Sequence, residues 1–238
     1  MLLMPILWSF GTRGSKWYNL TMPMRKIQFL NDDYYHIYNR GVEKRKIVSD
    51  DNDQHRFLRS LNIFNTTESV GSVLDYEIQE KRNPGFHSGA HLVEITAFNL
   101  LDNHYHLVLK QLVDKGISKF MQSLSGGFTK YFNCKYDRVG PLFQGPFKAS
   151  FLYDYKLEKA IAYVNLNHVI HKFGTPGSKW GMCSSWGQYV NKEAGIVKIS
   201  KWGKFNKNKS IAIVNEIIRD RNIDLEPGVP NEDEGLLY

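Results

Sequence analysis

Two cysteines in 238 residues, Cys134 and Cys183, are too few for a disulfide framework or a four-thiolate zinc site. A reducing cytoplasm is the compartment this favours. No apolar run reaches the length of a membrane span. Residues 1–10 are apolar but lack a positive stretch before them and a small-residue cleavage site after them, so they do not read as a signal peptide. No series of eight βα repeats is present, which excludes a barrel hydrolase of the amidohydrolase kind. A near-repeat, Gly11-Thr12-Arg13-Gly14-Ser15-Lys16-Trp17 and Gly174-Thr175-Pro176-Gly177-Ser178-Lys179-Trp180, does not have the spacing of a phosphate-binding loop.

Acidic residues are scarce over most of the chain. The net charge is +7, yet from Asp220 onward six acids face one base. Residues 1–219 therefore carry +12. A body this basic suits a polyanion such as nucleic acid, although charge of this kind also serves solubility alone. Apolar residues make up 42% of the chain and the mean hydropathy is −0.41, values of a globular protein with a sizeable core.

Alternation and helical spacing divide the chain into elements. Residues 34–39 read as a strand ended by Arg40-Gly41. Apolar residues at Phe57, Leu58, Leu61 and Phe64 predict a helix over 53–64. Residues 65–91 are polar, turn at Asn83-Pro84-Gly85, and read as a surface excursion. Residues 92–100 and 104–110 form a hairpin about Asp102-Asn103. A helix is expected over 116–136, weakened midway by Gly126-Gly127. A strand over 147–153 and a helix over 154–170 follow.

The order β-α-β-β-α-β-α predicts an α+β fold: a ferredoxin-like sandwich, an antiparallel sheet with helices on one face, plus one extra helix. Residues 1–23 read as a loosely attached extension ahead of a second possible start at Met24, and 24–172 as the main domain. Residues 173–238 form a C-terminal extension with one helix over 210–221 and an acidic tail.

His104-Tyr105-His106 is the most informative stretch. On a strand, positions i and i+2 face the same way, so both imidazoles converge while Tyr105 faces the other side. Two neutral imidazoles make half of a metal site; alone, the pair reads first as two surface or core histidines that happen to alternate. In the last predicted helix Tyr163 and Asn167 lie four apart and share a face with Lys159. By itself Tyr163 reads as a core tyrosine and Asn167 as a surface amide.

Four segments occur together in one order: Tyr35-His36-Ile37-Tyr38-Asn39-Arg40-Gly41; Asn103-His104-Tyr105-His106-Leu107-Val108-Leu109; Leu142-Phe143-Gln144-Gly145-Pro146-Phe147-Lys148; and Ala162-Tyr163-Val164-Asn165-Leu166-Asn167. Together they resemble the IS200/IS605-like single-tyrosine HUH transposases, most closely the branch associated with repetitive extragenic palindromes (REP elements). The resemblance spans about residues 34–171. It implies a ferredoxin-like sandwich, His104, His106 and Asn167 as ligands of a divalent metal, Mg²⁺ or Mn²⁺, and Tyr163 as the catalytic tyrosine. The chain departs from that branch in Asn167-His168, where Asn-Pro is usual, in Pro146, where a basic residue usually follows the glycine, and in Leu101-Asp102, where Met-Pro is usual.

The implied chemistry is single-strand DNA nicking and rejoining at palindromic hairpins, through a 5′-phosphotyrosine and a free 3′-hydroxyl. A free phenol has a pKa near ~10, so cationic charge from the metal or Lys159 would favour the phenolate nucleophile. Arg40, Lys44, Arg45, Arg138, Gln144 and Lys148 are the candidate DNA contacts, some beside aromatic residues that could stack on bases; an ordinary solvated face accounts for each basic cluster equally well. Expected partners are single-stranded or hairpin DNA and no membrane, with the protein a monomer or a homodimer. The alternative is a DNA-hairpin-binding protein of the same descent that no longer cleaves, a reading that Pro146 and His168 favour.

Overall fold

The computed structural model describes residues 27–85, 89–170, 183–191, 195–197 and 207–224. Both copies of the near-repeat, the 1–23 extension and the tail beyond 224 lie outside the described residues. In chain order the elements are β1 (Tyr34–Arg40), α1 (Asp51–Ile63), α2 (Val73–Arg82), β2 (Val93–Leu100), β3 (His104–Gln111), α3 (Gly116–Lys135), β4 (Lys148–Leu152), α4 (Asp154–Asn165), α5 (Asn167–Ile170), β5 (Cys183–Ser184), α6 (Trp186–Val190) and α7 (Lys207–Asp224). The strands form one antiparallel sheet in the order β4-β1-β3-β2-β5. Its first four strands have the ferredoxin-like arrangement that the element order predicts.

The sheet has two faces of different chemistry. Alternation puts Tyr35 and Ile37 of β1, and Tyr105, Leu107 and Leu109 of β3, on the face covered by α1 and α3, where all are buried. Phe57 and Leu61 of α1 and Phe120, Leu124 and Phe128 of α3 complete that core. A register shift between Ile95 and Ala97 leaves Thr96 as the extra residue of a bulge. Ile95 and Phe98 can therefore share this core, while Ala97 turns to the opposite face.

The extra helix, α4, packs on that opposite face. Leu157, Ala160, Ile161 and Val164 meet Ala97, Val108 and Leu152 there. α7 lies across α4, with Val214 packed against Ala162 and Leu166, and Lys209 paired with Glu158. Among the described residues no helix is long and apolar enough to cross a membrane.

Local chemistry sets the helix ends. Asp50 caps α1, accepting from the Asp53 amide, while the Asp53 carboxylate accepts from the Asp50 amide in return. Asp53 is fully buried and also accepts from the Tyr131 and Tyr136 hydroxyls and Lys135 Nζ, which ties α1 to the end of α3. Lys135 is thereby committed to an ion pair with Asp50 and Asp53.

One expectation about the helices changes. The 65–91 excursion contains α2, opened by a reciprocal Ser72–Asp75 cap. Its apolar Leu74 and Ile78 are exposed and only Val73 is buried, so no apolar stripe marks it. Gly126 and Gly127 do not interrupt α3. A Cβ on Gly127 would lie 2.8 Å from the Phe64 ring, whereas one on Gly126 meets nothing within 4 Å. The second glycine lets α1 approach α3.

Candidate active site

The α4-side face of the sheet carries the polar cluster. Register pairs Arg40 with His104, Tyr38 with His106 and Asn99 with His106, so these side chains share the face onto which α4 packs. His104 and His106 point the same way, their ring centroids 5.1 Å apart. The Tyr163 ring stands edge-on to His106 at 5.7 Å and to His36 at 6.0 Å. His104 Nε2 lies 3.3 Å from Asn167 Oδ1. The two histidines, the tyrosine and the asparagine predicted from sequence thus meet in one place, within a single chain. His104, His106, Tyr163 and Asn167 are all at most 4% exposed.

The approach of Asn167 depends on a break in the helix. α4 ends at Asn165, Leu166 has φ −107° and ψ 15°, and helical geometry resumes at Asn167. The break is pinned by Asn99, whose amide donates to the carbonyls of Val164 (2.9 Å) and Asn165 (3.3 Å). β2, which flanks the His strand, therefore holds the end of the tyrosine helix. Ser185 donates to Asn165 Oδ1 at 2.6 Å and braces the same turn. His168 lies against Asn99, its Nδ1 3.5 Å from the amide nitrogen. Burial pushes its pKa below the ordinary histidine value.

Each imidazole has a neighbour at Nδ1. Asn103 Nδ2 donates to the Lys44 carbonyl, which turns Asn103 Oδ1 toward His104 Nδ1 at 2.6 Å. That oxygen can only accept, so the bond network assigns the proton of His104 to Nδ1 and a lone pair to Nε2. His106 Nδ1 lies 2.8 Å from His36 Nε2. His36 is 2% exposed, and burial pushes its pKa down to about 3, so it is neutral at pH 7. His36 was not among the residues expected from sequence. A signal existed, since His36 falls on the same strand alternation as Tyr38, but the β1–β3 register is needed to bring it to His106.

The expected DNA contacts divide into two groups. Arg40 is register-opposite His104, and the exposed Lys148 pairs with Tyr38, its Nζ 5.8 Å from that ring. Tyr38 in turn stacks on His36 and His106 at 5.0 and 5.7 Å. Lys44 is exposed beside Asn103, and Gln144 is exposed with its backbone N–H donating to the Arg40 carbonyl at 2.8 Å. These four rim the His104 end of the sheet. By contrast, Arg45 pairs with Glu43 at 3.2 Å, and Arg138 is held by Asn133 and the Phe132 ring at the end of α3.

No protein-family model matches the chain, and no curated sequence does. Among solved structures it is similar to a REP-associated tyrosine transposase bound to a REP hairpin. The identity is 14%, over 75% of this chain and 96% of that one, with a TM-score of 0.49. It is also similar to a Deinococcus radiodurans protein assigned as a transposase, at 12% identity over 64% and 99% of the two chains and a TM-score of 0.35. A third likeness is to a bacterial tRNA(His) guanylyltransferase-like protein with GTP, at 9% identity over 63% and 71% and a TM-score of 0.35. At such values function has to be read from this chain's own residues.

Proposed function

We propose that the chain is a metal-dependent DNA strand transferase of the single-tyrosine HUH type, acting on single-stranded or hairpin DNA in transposition. The observation that carries this reading is the convergence of Tyr163, His104, His106 and Asn167 from β3 and the α4–α5 break, with a basic rim at the same end of the sheet. Tyr163 is the nucleophile, and its attack on a backbone phosphorus forms a 5′-phosphotyrosine as the 3′-oxygen leaves. One phosphodiester replaces another, so the reverse step rejoins strands without ATP.

The residues fit a divalent ion, Mg²⁺ or Mn²⁺. Among the described residues no three His, Cys, Asp or Glu side chains are grouped to hold a metal; the donor set is instead two imidazoles and an amide. With its proton on Nδ1, His104 turns the Nε2 lone pair toward the Asn167 side-chain amide, with Oδ1 3.3 Å away. That spacing suits two ligands of one ion, since neighbouring ligands at about 2.0–2.2 Å from it lie roughly 3 Å apart. His104, His106 and Asn167 would hold the ion, which when bound supplies Lewis-acid polarisation of the phosphate. Arg40, Lys44 and Lys148 neutralise backbone phosphates, Tyr38 offers a ring beside them, and Gln144 is within the same rim. Arg45 and Arg138 join them only if their present partners are exchanged for phosphate.

The test is a hairpin-cleavage assay with Mn²⁺. Wild type forms a covalent protein–DNA adduct that survives denaturation, and Tyr163→Phe and His104→Ala do not. A wild type that binds hairpins without forming any adduct sinks the enzyme reading. The second reading, a hairpin binder that does not cleave, then stands; the 2% exposure of Tyr163 and the Pro146 departure favour it.

A further inference from the structure

The geometry points to His36 as a positioning residue that holds His106 in the tautomer able to bind a cation through Nε2. This rests on the metal site proposed above and adds a residue outside its ligand set.

A strand delivers two imidazoles to one face, but it does not decide which ring nitrogen carries the proton. A neutral imidazole ligates only through the nitrogen that lacks a hydrogen. At His104 that choice is made by Asn103, which accepts at Nδ1 over 2.6 Å. At His106 the atom in the equivalent place is His36 Nε2, 2.8 Å from Nδ1. The two rings are nearly parallel, 15° between planes, and both are at most 2% exposed. Tyr38 stacks against both, which restricts rotation of either ring.

His36 lies two residues before Tyr38, the register partner of His106, and so on the same strand face. It therefore reaches His106 diagonally, from the side toward α4, where Tyr163 stands edge-on to both rings. When His36 accepts at Nε2, His106 donates from Nδ1 and presents its Nε2 lone pair on the same face as that of His104. Removing the acceptor leaves a buried Nδ1–H to be satisfied, and shifting the proton to Nε2 becomes favourable. That shift takes the lone pair away from the cation. Loss of such a supporting partner typically weakens metal binding 10–100-fold.

Two substitutions separate positioning from packing. His36→Phe keeps a ring and removes the acceptor; His36→Gln keeps an acceptor at similar reach. Mn²⁺ binding to the DNA-free protein is measured by electron paramagnetic resonance of the free ion, and the His106 tautomer by ring ¹⁵N chemical shifts in metal-free protein. Expected are binding weakened about 10–100-fold in His36→Phe, binding near wild type in His36→Gln, and Nδ1–H at His106 in wild type and His36→Gln. Equal binding by wild type and His36→Phe overturns the proposal, as does equal weakening in both variants, which marks packing alone. If His36→Phe does not fold, an Nε2–H tautomer at His106 in wild type overturns it. If wild type binds no Mn²⁺, the metal site of the proposed function fails, and the tautomer measurement still decides the role of His36.

Discussion

Neighbouring residues on β3 show how differently the two faces of the sheet are used. Leu107 is fully buried under α1 and α3 among aromatic and aliphatic side chains. His106, one residue before it, is 1% exposed on the α4 side, among His36, Tyr38, His104 and Tyr163. Both are removed from water to the same degree. Burying Leu107 is favourable by about 1.5–3 kcal/mol, whereas burying an imidazole gains nothing of the kind unless its nitrogens are matched. The first face is closed by apolar contacts along its length, whereas the second sets a constellation of nitrogen and oxygen donors beside its apolar contacts with α4. Polar groups do occur in the α1–α3 layer, and the buried Asp53 there is closed by several partners.

The largest expected effect that tests this contrast comes from truncating each face. Leu107→Ala should cost about 2–5 kcal/mol, the range for a buried leucine, read as a lower denaturant midpoint. His106→Leu should change stability by no more than about 1.5 kcal/mol in either direction, while abolishing adduct formation. If the histidine variant loses as much stability as the leucine variant, the histidine constellation serves the fold as Leu107 does.

A smaller effect lies inside the α1–α3 layer, at two adjacent glycines with opposite expectations. Gly127→Ala drives a methyl into the Phe64 ring and should destabilise by about 1–3 kcal/mol. Gly126→Ala meets open space and should stabilise by up to about 1 kcal/mol from helix propensity. Thermal unfolding of the two variants should move in opposite directions. Equal shifts would mean that helix propensity, and not the approach of Phe64, governs this stretch.

The smallest effect concerns acid stability of the same layer. The hydrogen bond from Lys135 holds the Asp50 carboxyl below its ordinary value of 3.8. A lowered pKa in the folded state means the contribution is complete above the unfolded value and is lost as pH falls through the folded one. Asp50 is partly exposed, so the contribution is about 1 kcal/mol or less. Asp50→Asn, which keeps a good helix cap, should be less stable than wild type at pH 6. The difference should shrink as pH falls below about 4, followed by urea unfolding. A difference that stays constant down to pH 2 would show that the Lys135 pairing is not its source.

Much of this contrast was legible along the chain because alternation is a local property. The faces of β1 and β3 follow from period two, and the elements of the ferredoxin-like order follow from turns and apolar spacing. Tyr163 and Asn167 were placed together by helical spacing, although the helix breaks between them at Leu166 and Asn99 pins that break. Other features carry no local signal. α2 buries almost nothing and so shows no stripe, and the need for glycine at 127 comes from a ring 63 residues earlier in the chain. The contribution of His36 depends on strand register, and the pairing of Arg45 and Arg138 with protein neighbours depends on loop geometry.

By itself the sequence determined which side chains share a strand face or a helix face, since the peptide backbone imposes those periods on any chain that adopts the element. It also determined the reciprocal caps of α1 and α2, which are set within three residues. Only the tertiary structure decided which face α4 covers, where the helix stops, and which ring stands behind His106. Those outcomes depend on contacts between residues 60 to 70 positions apart, whose energies exist only once the sheet has closed its register and the helices have chosen their sides.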